Sequence, residues 1–187
     1  VKTAGVPAQV VTDAAHQAAL WRIREDGAGL AAKTLERQAQ AGWEDAAVPP
    51  EKLGAYLRDF DALLDEYGLG GVPYGHFGDG CVHVRIDFEL ATDQGRAGYR
   101  GFIEDAADLV ASYGGSMSGE HGDGRARSEL LPKMYSPAAI ALMAQAKRIL
   151  DPDNILNPGV LVDPAPFDVD LRLEAQMKEF KPALRMV

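Results

Sequence analysis

Cysteine is nearly absent: among 187 residues there is one, Cys81. A lone cysteine excludes an internal disulfide, and it excludes a four-cysteine iron–sulfur or zinc centre built from these residues alone. Basic charge is scarce as well, with 19 lysines and arginines against 28 aspartates and glutamates and a formal net charge of −9. Phosphate backbones are bound by clustered Lys and Arg, so this balance argues against a nucleic-acid partner and for small molecules or other proteins. Long hydrophobic runs are missing too. The longest largely apolar stretch, Ala138 to Ala146, ends at Lys147-Arg148 and falls far short of the roughly 20 residues a membrane helix needs. Neither a membrane span nor a signal peptide is expected, and the reading is a cytoplasmic chain. The first residue is Val1 rather than Met, and Val10-Val11 resembles a strand interrupted at its start, so a piece of a longer protein is expected.

What is present is the composition of an ordinary globular domain, 47% hydrophobic and 25% charged, at a length that can bury a core without disulfides or structural metals. Asp13 is a plausible N-cap for a helix that stops near Gly27. Residues 27–49 are rich in Ala and Gly without a clear period and read as a long loop over a site. Pro49-Pro50 opens a second helix, in which Leu53, Tyr56, Leu57, Phe60, Leu63 and Leu64 recur at three- and four-residue spacing down to Gly68. Two short strands follow, Val72 to Phe77 and Cys81 to Leu90, and then a helix from about Tyr99 to Tyr113 ended by Gly114-Gly115. A further helix starts at Pro137 and stops at Asp151-Pro152. Helices alternating with a hairpin, without regular βαβ spacing, predict an α+β fold: an antiparallel sheet with helices on one face.

The candidate chemistry sits at the hairpin. Asp79-Gly80 is a strong two-residue turn signal, because a type I′ turn needs positive φ at both central positions. That turn would pair Gly78 with Cys81, Phe77 with Val82, and His76 with His83. Val82, Val84, Ile86 and Phe88 would then share a core face with Phe77, leaving His76, His83, Arg85 and Asp87 on a polar one. Directly opposed residues have Cβ atoms about 4.5–5.5 Å apart, close enough for two imidazoles to meet at one ion. On spacing alone the pair reads equally as two polar neighbours on a wet sheet face. The run Gly119-Glu120-His121-Gly122 adds a carboxylate, and two His with one carboxylate and open positions is the donor set of a catalytic metal site. Glu120 and His121 are adjacent, so in extended chain they point opposite ways. Glu120 is therefore assigned to the metal, and His121 to the proton.

Three segments carry a resemblance: Tyr74-Gly75-His76-Phe77-Gly78-Asp79-Gly80-Cys81-Val82-His83, Ser118-Gly119-Glu120-His121-Gly122, and Asp151 through Gly159 with its Asn157-Pro158-Gly159 ending. In this order they resemble the C-terminal domain of FAD-linked oxidases, the family of D-lactate dehydrogenases, the glycolate oxidase FAD subunit and D-2-hydroxyglutarate dehydrogenase. The wording Glu44-Asp45-Ala46-Ala47-Val48-Pro49-Pro50 and the Cys81 after Gly80 look most like large bacterial members fused to a downstream iron–sulfur region. The resemblance implies a ferredoxin-like substrate domain over residues 1–162, incomplete at its N-terminus, with 163–187 as a tail or linker. It implies a divalent metal, zinc or manganese, on His76, His83 and Glu120, with His121 as the base that takes the substrate's hydroxyl proton. Arg24 matches the residue that grips the substrate carboxylate, and Asn157 the one near the flavin ring. Where many relatives carry Asn after Gly-Asp-Gly, this chain has Cys81.

The implied function is oxidation of a 2-hydroxy acid to a keto acid with hydride transfer to FAD, which another domain of the same protein would hold; the fragment alone is expected to be inactive. The full-length protein would be cytoplasmic, free or peripheral to the inner membrane. Two other classes fit the same residues: a metal-dependent hydrolase using the two-His-Glu set, and a non-catalytic domain that packs against other subunits.

Overall fold

Leu53, Tyr56, Phe60 and Leu64 lie at intervals of three and four residues, which puts them on one stripe of a helix, and all four are buried. The structure, a computed structural model, describes residues 9–26, 35 and 37–171. Its elements run α1 (Ala14–Glu25), β1 (Gln40–Ala47), α2 (Leu53–Glu66), β2 (Gly71–Tyr74), β3 (Cys81–Ile86), α3 (Asp93–Ser112), α4 (Gly124–Arg127) and α5 (Pro137–Leu150). Three of the expected helix boundaries agree closely. Asp13 Oδ1 accepts the His16 N–H at 2.7 Å and caps α1; Pro49-Pro50 leads into α2 through a 3₁₀ turn; and Ser136 and Pro137 start α5. Helix α3 begins earlier than its periodicity suggests, at Asp93, because Thr92 Oγ1 accepts the Gly95 N–H at 3.0 Å.

The three strands form one antiparallel sheet in the order β1-β3-β2. Strands β1 and β2 are both antiparallel to β3 and are therefore parallel to each other, with β3 between them. This is the split β-α-β-β-α arrangement of a ferredoxin-like fold, as expected. After α3 the chain returns to the outer edge of β1 for a single antiparallel bridge, Ala47 with Ser116, where a fourth strand would lie. Helices α2 and α3 cover one face. Their Phe60 and Phe102 meet edge to face at 5.8 Å, and Phe102 meets Phe88 at 5.5 Å. Val82, Val84 and Ile86 of β3 are fully buried in the same core, each worth about 1.5–3 kcal/mol of burial. Beyond α5, Phe167 joins that core, meets Tyr99 edge to face and carries the Arg100 guanidinium over its ring. Among the described residues no helix is long and apolar enough to cross a membrane.

Two expectations are corrected. Residues 40–47, read as loop, form the strand β1. It was hidden because the register slips twice along it, between Ala41 and Trp43 and again between Trp43 and Ala46. Each slip inserts one residue opposite β3 and inverts the alternation a strand would otherwise display. The first bulge holds Gly42, where a Cβ would stand 2.1 Å from the Phe88 ring.

The hairpin is the second correction. Tyr74, not His76, pairs with His83, and the register is displaced by two residues. The connection is a longer loop with a 3₁₀ turn at Phe77–Asp79, and of the Asp79-Gly80 pair only Gly80 has positive φ, at 76°. A two-residue turn is disfavoured because the loop must reach back to the end of β1, where the Val48 N–H donates to Gly80 O at 3.1 Å. In consequence Phe77 leaves the core and is 44% exposed, while His83 and Asp87 are buried. The face of β3 expected to be wet is covered by what packs on it: the rings of Tyr74 and His121 lie against His83, and the Gly70 N–H and Arg37 donate to Asp87.

Gly80 cannot carry a side chain, since a Cβ there would lie 1.9 Å from Val48 O. Left-handed backbone alone costs a non-glycine residue about 1–2 kcal/mol. Gly80→Ala is expected to lose more than that, about 2–3 kcal/mol, read as a lower urea midpoint at unchanged slope.

Candidate metal and proton-transfer site

The site is assembled at the second bulge of β1. Trp43 and Ala46 pair with Val84 and Val82, so Glu44 and Asp45 together stand opposite His83. Asp45 takes φ 78°, a left-handed conformation that Asp tolerates better than most residues. The bulge sends the two carboxylates to different tasks. Glu44 turns toward the sheet face: its Oε2 lies 3.5 Å from His83 Nδ1 and accepts the Tyr74 hydroxyl at 3.2 Å, and its Oε1 lies 3.2 Å from Arg85 Nε. Asp45 is fully buried and turns toward the loop after α3.

Ligand atoms of Asp45, Cys81, His83 and Glu120 all lie within 4.8 Å of one another. Imidazole, carboxylate and thiol donors at this separation suit a divalent ion such as zinc. His83 Nδ1 is buried without a hydrogen bond and faces Glu44, which leaves Nε2 for an ion. A carboxylate behind a ligating histidine fixes the ring and its tautomer. Burial, together with the neighbouring Glu120 and Asp45, pushes the Cys81 thiol up to about 12, so without a cation the sulfur stays a neutral thiol.

Of the residues picked out from sequence, His83 and Glu120 belong to this group. His76 stands at its margin, with Nε2 3.6 Å from Glu120 Oε1 and its ring 6.3 Å from that of His83. His121 is exposed, and its ring lies parallel to the His83 ring at 5.1 Å. Glu120 and His121 lie in a bend and not in extended chain, and both reach the same place: the Glu120 carboxylate joins the donor group while the His121 imidazole stacks on the His83 ring within it. Asn157 lies in the exposed turn after α5, with φ 48° and its carbonyl accepting the Val160 N–H. Arg24 falls in the last turn of α1, and its side chain lies outside the described residues.

Sequence reasoning missed Glu44 and Asp45 as site residues. The available signal was an Asp directly after a Glu in a stretch without clear period, which is where a bulge with a left-handed residue is admissible. Arg127 is a further residue at this place: its Nε is buried without a hydrogen bond, as is Asp123 Oδ1, and it faces the negative field of Asp45, Asp123 and Glu44.

Comparison with known proteins gives a consistent answer. The family model described as FAD linked oxidases, C-terminal domain, matches residues 1–161. D-2-hydroxyglutarate dehydrogenase of Escherichia coli (strain K12) is 32% identical over 174 residues, covering 84% of this chain and 17% of that protein. D-lactate dehydrogenase of Archaeoglobus fulgidus is 41% identical over 118 residues, covering 63% of this chain and 26% of that protein. D-2-hydroxyglutarate dehydrogenase of Pseudomonas putida is 38% identical over 146 residues, 78% of this chain and 14% of that protein. The chain therefore spans only 14% to 26% of the length of these relatives.

Proposed function

Because this chain belongs to the FAD linked oxidases, C-terminal domain family, we propose that it is the substrate- and metal-binding portion of a flavin-dependent 2-hydroxy-acid dehydrogenase. The single observation that carries the reading is the convergence of His83, Glu120, Cys81 and Asp45 beside the stacked ring of His121. That arrangement supplies ion ligands and a free imidazole at one place, which deprotonation of an alcohol requires.

His83 and Glu120 would hold a divalent metal, zinc or manganese, with His76 closing in from the loop. A metal there supplies Lewis acidity, lowering the pKa of a bound hydroxyl. His121 accepts the hydroxyl proton on its imidazole, next to the donor group and not within it. Arg24 would grip the substrate carboxylate through paired N–H donors. The flavin, when bound by another domain of the same protein, supplies the acceptor for hydride from the α-carbon. Asn157 would face that flavin. The apolar side chains of Ile149, Leu150, Ile155 and Leu156, all strongly exposed around the turn that carries it, support a face that meets the flavin domain. Residues 1–162 would form this substrate domain, with Phe167 packed back onto its core, and 163–187 would lead on as a tail toward a downstream iron–sulfur region, in a cytoplasmic protein or one peripheral to the inner membrane. The substrates are 2-hydroxy acids such as D-lactate, D-2-hydroxyglutarate or glycolate.

The test is spectroscopic and elemental. The purified full-length protein should be yellow, with a flavin spectrum, and should contain stoichiometric divalent metal. His83→Ala should keep the flavin and lose the metal. A colourless full-length protein, or metal content unaffected by His83→Ala, would overturn the reading.

A further inference from the structure

Every residue from Ser118 to His121 donates a hydrogen bond to Asp45. The Ser118 hydroxyl reaches Oδ2 at 2.8 Å, the Gly119 N–H reaches the main-chain carbonyl at 2.7 Å, the Glu120 N–H reaches both carboxylate oxygens at 3.0 Å, and the His121 N–H reaches Oδ2 at 2.7 Å. The Cys81 thiol lies 3.5 Å from Oδ1. We propose that Asp45 is the positioning residue of this site: it locks the Ser118–His121 loop so that Glu120 presents its carboxylate to the donor group while His121 stays on the substrate side. The inference rests on the metal and base roles given to Glu120 and His121 above.

Three physical points support it. First, successive main-chain N–H groups that converge form a concavity for an anion, and here a carboxylate of the chain itself fills it. Burial opposes charging Asp45, yet the bonds from His121, Glu120, Ser118 and Cys81 outweigh it and hold the carboxyl below its ordinary value, as expected for an acceptor of several N–H bonds. Second, Oδ2 already accepts three donors, so the oxygen nearest the loop has little capacity left for an ion. Although Asp45 stands within the donor group, its hydrogen bonds give it to the loop. Third, the attachment is rigid on its far side. Asp45 sits in a bulge of β1, between Trp43 and Ala46 of the core, and the Ala47–Ser116 bridge ties the start of the loop to the same strand. Loop and donor group are thereby referenced to the sheet and not to solvent.

Asp45→Asn in the full-length protein isolates the effect. Asn tolerates the left-handed backbone, but it offers one acceptor oxygen, and its NH₂ would face the N–H donors. Hydrogen–deuterium exchange of the peptide covering Ser118–His121 should quicken at least about tenfold, with peptides of β1 and β3 unchanged. Affinity for cobalt(II) should fall about 10–100-fold, as for other groups that orient ligands, with a shifted cobalt d–d spectrum. Unchanged loop exchange and an unchanged cobalt spectrum would overturn the proposal. So would complete loss of cobalt with the loop still protected, since that would make Asp45 a ligand. If Asp45→Asn fails to fold, the wild-type exchange decides: the Glu120 and His121 amides should be protected, and exchange at the rate of an open loop would sink the idea. Failure of wild-type protein to bind cobalt would remove the metal reading, while the exchange result would still judge the role of Asp45.

Discussion

Replacing His121 by alanine in the full-length protein is expected to lower turnover by about 10²–10⁴-fold, the usual worth of a positioned general base, while leaving metal content unchanged. The expectation follows from the division of labour between two neighbours. The Glu120 carboxylate joins the donor group with His83 and Cys81. The His121 ring lies outside it, exposed and parallel to His83 at 5.1 Å. Removing that imidazole takes away a proton acceptor, yet it leaves the ligand atoms and the Asp45 anchor of the loop in place, because the anchor uses the His121 main-chain N–H. Steady-state kcat and metal analysis on one preparation decide the matter. Retained turnover would sink the base assignment, and joint loss of metal and turnover would make His121 a ligand.

Trp43→Ala is expected to destabilise the domain by about 3–5 kcal/mol, the range for removing a buried aromatic side chain. Against a total stability of about 5–15 kcal/mol for an ordinary domain, this approaches unfolding. Trp43 is 2% exposed, stacks on Phe60 at 6.4 Å and donates its indole N–H to the Tyr56 hydroxyl at 2.9 Å. Two contributions are separable. Trp43→Phe keeps most of the ring volume but leaves the buried Tyr56 hydroxyl without its donor, so it should cost about 1–3 kcal/mol. Urea unfolding of both variants measures the difference; comparable losses would mean that the hydrogen bond, not the packing, holds β1 down. Because Glu44 and Asp45 directly follow Trp43 in the bulge, the alanine variant should also weaken cobalt binding at temperatures where it remains folded.

The legibility of this fold tracked the regularity of its backbone. The α2 stripe of Leu53, Tyr56, Phe60 and Leu64 and the alternation Val82, Val84, Ile86 were readable because helix and strand repeat their side-chain directions at fixed intervals. The helix starts at Asp13 and Pro137 were readable because a capping side chain, or a proline at the first helical position, answers a local need of the first turn. Strand β1 was not readable. Its two bulges break the period of two within eight residues, and nothing local announces where a bulge will fall.

The site divides in the same way. The sequence by itself determined the chemistry-bearing types: two histidines about a Gly-Asp-Gly loop, a Glu-His pair between glycines, and one thiol, Cys81. Only the tertiary structure decided which of these meet. A turn preference proposed His76 opposite His83, but the reach of Gly80 back to Val48 lengthened the loop and brought Tyr74 opposite His83 instead. Likewise, Asp45 acquired its place from Ser118–His121, more than seventy residues away. The physical reason is common to both: local propensity fixes what a segment can do, whereas long-range hydrogen bonds and packing select the one arrangement in which the segments are compatible with each other.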